Sequence, residues 1–126
     1  MGLYSRQVFP RLCDWAMRDG RFESLRRSLL AQAEGIILEI GFGTGLNLGH
    51  YPEHVRRITA IDPGEGMSRI SRRRIARSPR SVDLRLQTAE ELPFDDGTFD
   101  CVVSTWTLCS IPDAGRSVQE IARVLR

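Results

Sequence analysis

The chain has 126 residues, 41% hydrophobic and 27% charged, with a net charge of +2. This is the composition of one soluble globular domain with a real core, and the charge is too small to argue for nucleic acid. No apolar run approaches the ~20 residues needed to cross a bilayer, so no membrane span is expected. The N-terminus lacks a charged-then-apolar signal pattern, and Arg6 stands where a myristoylation motif wants Ser or Thr, so a cytoplasmic location is expected. Cys13, Cys101 and Cys109 are far apart and form no Cys-x-x-Cys pair, which suggests neither a disulfide framework nor a zinc site.

The first segment sets Tyr4, Val8, Leu12, Trp15 and Ala16 at helical spacing, with Pro10 suited to a first turn. Asp19-Gly20 marks a turn, and Phe22, Leu25, Leu29, Leu30 and Ala33 then give one face of a second amphipathic helix. Both helices are expected to cover a sheet. Next, Ile36 to Ile40 runs straight into Gly41, Gly43 and Gly45. An apolar run bounded by glycine reads as a buried strand of a parallel sheet, and the glycines let backbone turn sharply beside a ligand. Leu46 to Tyr51 reads as the opening of a helix, completing a nucleotide-type corner.

Arg57 to Ile61 reads as a second strand that ends at Asp62-Pro63-Gly64. Asp62 stands 21 residues beyond Gly41, which places a carboxylate at the tip of the neighbouring strand, where it can accept from both ribose hydroxyls of an adenosine ligand. The dinucleotide fingerprint requires Gly or Ala where this chain has Leu46, so a nicotinamide-dependent oxidoreductase is disfavoured. Met67 to Arg77 is an arginine-rich helix, read as a solvated outer face with Met67, Ile70 and Ile75 inward. Val82 to Leu86 alternates like a strand near a sheet edge, Thr98 to Ser104 is a fourth strand, and Ala114, Val118, Ile121, Ala122 and Leu125 mark a last helix.

Four blocks in order carry a resemblance: Glu39 to Gly45, Ile61-Asp62-Pro63, the Ala89 to Asp100 run containing Ala-Glu-Glu-Leu-Pro-Phe, and the strand end from Val103 to Leu108. Together they resemble the class I S-adenosylmethionine-dependent methyltransferases of the type 11 family, which includes ubiquinone/menaquinone C-methyltransferases and bacterial phospholipid N-methyltransferases. The resemblance implies an α/β, Rossmann-like three-layer sandwich with S-adenosylmethionine as cofactor. Gly41, Phe42, Gly43 and Gly45 would wrap the methionine end, with Glu39 near its ammonium group. Asp62 and Pro63 would meet the ribose, and Thr88 and Ala89 would flank the adenine. Ser104 and Thr105, with Trp106, would line the pocket near the transferring methyl. Relatives more often carry an acid where Thr88 stands.

No residue is marked as a general base, and His50 and His54 read as surface residues. A sulfonium is a good leaving group, so positioning and water exclusion can supply most of the acceleration. The strand-four exit lacks the Asn-Pro-Pro-aromatic of DNA adenine methylation, and there is no Pro-Cys nucleophile; a small-molecule or lipid-like acceptor is implied instead. Residues 1–34 are expected to form a helical cap and 35–126 the cofactor domain. About four of the seven strands of the fold are readable, so the domain is expected to be C-terminally truncated or a fragment. The free edge of strand four would then suit a homo-oligomer. The alternative function is a non-catalytic S-adenosylmethionine-binding or interaction module.

Overall fold

The computed structural model describes residues 8–126, apart from the side chains of Pro10 and of residues 65–68. Tyr4, placed at helical spacing in the first segment, and the Met67 side chain lie outside the described residues. In chain order the elements are α1 (Phe9–Ala16), α2 (Gly20–Leu30), β1 (Ile37–Ile40), β2 (Arg57–Ile61), α3 (Glu65–Arg77), β3 (Ser81–Arg85), β4 (Cys101–Ser104) and α4 (Ala114–Val124). The strands form one parallel sheet in the order β3-β2-β1-β4.

β1 is buried along its whole length, which is why its sequence reads as unbroken apolar residues around one acid. Its odd and even positions feed two cores. Ile37 joins Leu30, Phe42, Tyr51, Ile58 and Val103 on one face. Leu38 and Ile40 join Ile61, Leu92, Phe99 and Val124 of α4 on the other. Helices on both faces make the three-layer arrangement.

Both N-terminal helices depart from the expectation. Leu12 and Trp15 of α1 and Leu25 and Leu29 of α2 point to solvent, while Asp14 and Arg26 are buried. The reason is chemical: Asp14 and Arg26 satisfy polar groups of the glycine corner that no leucine could. In α4, Val118 is likewise exposed, and Ser117 and Val124 face inward.

The helix expected from Leu46 shrinks to a single 3-10 turn over Leu48–His50. Pro52 biases Tyr51 to extended backbone (φ −65°, ψ 144°) and so stops the turn. The irregular stretch is instead held from outside by Arg80. Its guanidinium donates to the carbonyls of Val55 at 2.9 Å, Leu48 at 3.1 Å and Pro52 at 3.0 Å, and to that of Tyr51.

β4 is shorter than expected because Phe99 pairs instead with the chain at the end of α4. Phe99 N–H donates to Val124 O at 2.9 Å and Arg126 N–H donates to Phe99 O at 3.0 Å. The Leu-Pro-Phe block is clasped from α4. Leu92 N–H donates to Glu120 at 2.8 Å, and Arg123 donates to the carbonyls of Leu92 at 2.9 Å and Phe94 at 2.8 Å. The Arg123 hydrogen bonds, helped by the Leu92 amide, hold the Glu120 carboxyl down at about 2.

Candidate active site

The register of β1 on β2 builds the site. Ile40 lies beside Ile61, so the next two amides, Gly41 and Phe42, both donate to Ile61 O, at 2.9 and 3.2 Å. That stitch brings the glycine corner against the tip of β2, where Asp62 Oδ2 accepts from Gly43 N–H at 2.8 Å. Asp62 Oδ1 accepts from Gly64 N–H at 2.7 Å. Gly41, Gly43 and Gly45 have φ of +74°, +58° and +85°. At Gly41 a Cβ would lie 2.2 Å from the Thr107 side chain, so only glycine fits. At Gly43 nothing lies nearer than the Gly41 carbonyl at 3.9 Å; the loop is open there, as a cradle for a ligand must be.

A cavity of about 390 Å³ sits over this corner, where β2 and β4 diverge on either side of β1. Ligands of open α/β sheets bind at such a switch point. Of the residues named from the sequence, Gly41, Phe42, Gly43, Asp62, Thr105 and Trp106 line it, joined by Thr44, Asn47, Arg26 and Thr107, and roofed by Phe9 and Cys13 of α1 and Met17 just past its end. A larger cavity of about 580 Å³, among Arg18, His50, Arg74, Arg77 and Arg80, lies beyond Leu46 and away from the strand tips. The smaller one is therefore the candidate site.

The remaining expected residues lie outside that lining. Gly45 faces the larger cavity. Pro63 and Thr88 are exposed, and Ala89 is buried in the core beside Ile61. Ser104 Oγ is enclosed without a hydrogen-bond partner. His50 Nε2 pairs with Glu23 at 2.7 Å, and His54 Nε2 lies 3.1 Å from the Ala33 carbonyl.

Glu39 sits beneath the cavity, 1% exposed. Its carboxylate accepts from Tyr51 Oη at 2.7 Å and from Asn47 Nδ2 at 2.8 Å. Asn47 also donates to Thr105 Oγ1 at 3.1 Å and accepts from Arg26 Nε at 2.7 Å. Arg26, 2% exposed, reaches Glu23 at 3.1 Å and stacks 5.2 Å from the Trp106 ring centroid. Phe22 meets the same ring edge-on at 5.1 Å. These contacts offset the strain of Trp106 at φ +51°, the one described non-glycine residue in the left-handed region.

Burial pushes Glu39 up to about 7, against the opposing pull of Tyr51, Asn47 and Arg26. A carboxyl raised above its usual 4.5 is protonated in the folded state while ionised in the unfolded chain. The unfolded state then binds fewer protons, and stability falls as pH rises between those values. Glu39→Gln should abolish this slope. Urea unfolding at pH 5 and pH 7.5 should show wild type losing about 2 kcal/mol more than the variant over that interval; parallel losses would refute the burial argument.

A second cluster, which the sequence did not announce, latches α1 to the corner. Asp14 accepts from Thr44 Oγ1 at 2.6 Å, from Arg18 at 2.7 Å, and from Arg74 of α3 at 2.9 Å. Arg74 also donates to Thr44 O at 2.8 Å. Burial would raise the Asp14 carboxyl, but the bonds from Arg74 and Thr44 prevail and hold it at about 2. Arg74 therefore belongs to the corner, while Arg69, Arg72, Arg73 and Arg77 are exposed as expected.

A parallel sheet with its glycine corner at the switch point and an acid at the next strand tip defines a Rossmann-like nucleotide-type binding domain. Comparison with known proteins gives the family. A family model described as a methyltransferase domain matches residues 38–126. The demethylmenaquinone methyltransferase of Symbiobacterium thermophilum is 32% identical, over 98% of this chain and 55% of its own length. The phosphatidylethanolamine N-methyltransferase of Cereibacter sphaeroides is 37% identical, over 89% of this chain and 59% of its own. The YcgJ protein of Bacillus subtilis superposes with a TM-score of 0.70 at 26% identity, over 82% of this chain and 45% of its own. The chain belongs to the class I S-adenosylmethionine-dependent methyltransferases, and spans about half the length of the curated relatives it matches.

Proposed function

We propose that this chain forms the cofactor-binding part of an S-adenosylmethionine-dependent methyltransferase that acts on a lipid-like acceptor. The observation that carries the reading is the Asp62 carboxylate bonded to Gly43 N–H across the mouth of a cavity whose corner tolerates no side chain at Gly41. Those residues suit the cofactor: an open loop for its methionine end and an acid for its ribose. The bound cofactor would supply an activated methyl on a sulfonium.

The chain's own residues bind and orient. Asp62 retains a free lone pair on each oxygen beyond its two backbone bonds, enough to accept from two ribose hydroxyls. Glu39 acts on the ligand at one remove, by fixing the orientation of Asn47 at the cavity wall. Thr105 and Trp106 form the wall toward the acceptor. Phe9 and Cys13 of α1 and Met17 just past it exclude water from above, with α1 and α2 serving as the cap. Asp62 is the one carboxylate among the cavity-lining residues, and its bonds to the loop suit it to binding rather than to proton transfer. The acceptor class is supported by the relatives named for a quinone and a phospholipid substrate. Among the described residues no helix is long and apolar enough to cross a membrane, so such an acceptor would be met at a surface.

Calorimetric titration of the 126-residue chain with S-adenosylhomocysteine tests the cofactor assignment. Saturable one-to-one binding is the expected result. A folded chain that takes up none would overturn it.

A further inference from the structure

The helix that roofs the cavity has an apolar back. Phe9, Cys13 and Met17 point into the cavity, and Asp14 ties the adjoining strip to Thr44 and Arg74. On the opposite strip Val8, Leu12 and Trp15 are 47%, 51% and 75% exposed. Single exposed apolar residues are ordinary, but three at helical spacing, one of them an indole, make a ridge of the kind that marks an interaction site.

The ridge has a basic flank. Arg11 of α1 is exposed, as is Arg18 just past its end, followed by Asp19, which pairs with Arg21. The Asp14–Arg74 pair places α3 along that side of α1, and α3 bears exposed Arg69, Arg73 and Arg77 at four-residue spacing, one strip of a helix. Among the described side chains of α1 and α3 the single carboxylate is Asp14, and Arg18 and Arg74 already neutralise it. An indole and aliphatic ridge beside the exposed guanidinium groups of Arg11, Arg69, Arg73 and Arg77 complements hydrocarbon lying beneath negative headgroups.

We propose that the α1–α3 face docks on an anionic lipid bilayer, with Trp15 and Leu12 entering the headgroup boundary and the arginines engaging lipid phosphates. The roof of the cavity then lies at the lipid surface, where a lipid-like acceptor arrives without crossing water. The purpose of the docking rests on the acceptor reading above; its measurement does not.

Sedimentation of the full 126-residue chain with vesicles of phosphatidylglycerol and phosphatidylcholine tests the docking. Partition onto the mixed vesicles is expected to exceed that onto phosphatidylcholine alone at least tenfold. Trp15→Ser with Leu12→Ser, and separately Arg73→Glu with Arg77→Glu, should each lower it at least tenfold, and high salt should mimic only the arginine pair. All four positions are exposed, so circular dichroism and the S-adenosylhomocysteine titration without lipid should remain those of the parent. A folded chain that binds S-adenosylhomocysteine yet ignores mixed vesicles overturns the docking and leaves the function standing. Equal partition of all variants also overturns it. Self-association that Trp15→Ser abolishes, without vesicle binding, would reassign the ridge to a second copy of the chain. Vesicle binding that needs the ridge in a chain that takes no S-adenosylhomocysteine would keep the docking and remove the function.

Discussion

Asp62→Ala should weaken S-adenosylhomocysteine binding more than a hundredfold in a calorimetric titration. Two charge-assisted hydrogen bonds to ribose are each worth about 1.5–3 kcal/mol, and a hundredfold in affinity corresponds to about 2.7 kcal/mol. The variant also releases Gly43 N–H and Gly64 N–H, which the carboxylate holds at 2.8 and 2.7 Å, so the loop loses its order along with the ligand's anchor. Asp62→Asn separates the two effects. Its amide must set an NH₂ group against one of those backbone donors, while its carbonyl still serves the other, and an intermediate loss of about tenfold should result. Alanine binding as tightly as wild type would show that the ribose lies elsewhere.

Gly41→Ala should be the most damaging small change in the corner. A left-handed alanine costs about 1–2 kcal/mol, and overpacking adds about 1–3 kcal/mol. The overlap is with Thr107, whose Cγ2 and Oγ1 would both stand 2.2 Å from the new methyl. Gly43→Ala, with φ +58° but open space around it, should lose only the backbone share. Adding Thr107→Gly to Gly41→Ala should return the overlap share and leave the backbone share. Urea unfolding of the four chains measures this. Equal stability of the two alanine variants would show that Thr107 yields freely and that the corner is not sterically set.

How far the sequence could be read depended on what each residue had to satisfy. β1 was legible because a strand buried on both faces carries a nearly unbroken apolar run, β2 because Ile58, Ala60 and Ile61 lead straight into Asp62-Pro63-Gly64, and the glycine corner because no other residue adopts three positive φ angles in alternation. Asp62 was legible through its spacing from Gly41. α1 was correct as a helix and wrong in rotation; α2 was correct as a helix and right at Phe22, Leu30 and Ala33, with Leu25 and Leu29 turned to solvent. An apolar stripe is the strongest clue to an inward face, yet here Asp14 and Arg26 outrank leucines because the buried Thr44 and Asn47 side chains need hydrogen-bond partners. Asp14 and Arg26 themselves looked like ordinary surface charges. Only the apolar positions around Arg26, at Phe22, Leu30 and Ala33, could have hinted that a charge shared their side. Asn47 and Arg80 gave no local signal, since their bonds to Glu39 and Leu48 span eight and thirty-two residues of chain; Glu120 and Arg123 form a pair three residues apart, but their hold on Leu92 spans about thirty.

The Arg80 staple also sets an order of events. The stretch from Leu48 to Val55 follows the glycine corner with two short turns of its own, and four of its carbonyls are held by a side chain just before β3. During synthesis the corner therefore exists as sequence well before it exists as shape. A nascent chain halted short of residue 80 would carry all three glycines and Asp62 but no fixed wall behind them. Cofactor capture should then become possible only once the β2–α3–β3 crossover has closed, so that an arginine remote from the ligand decides when the pocket is born.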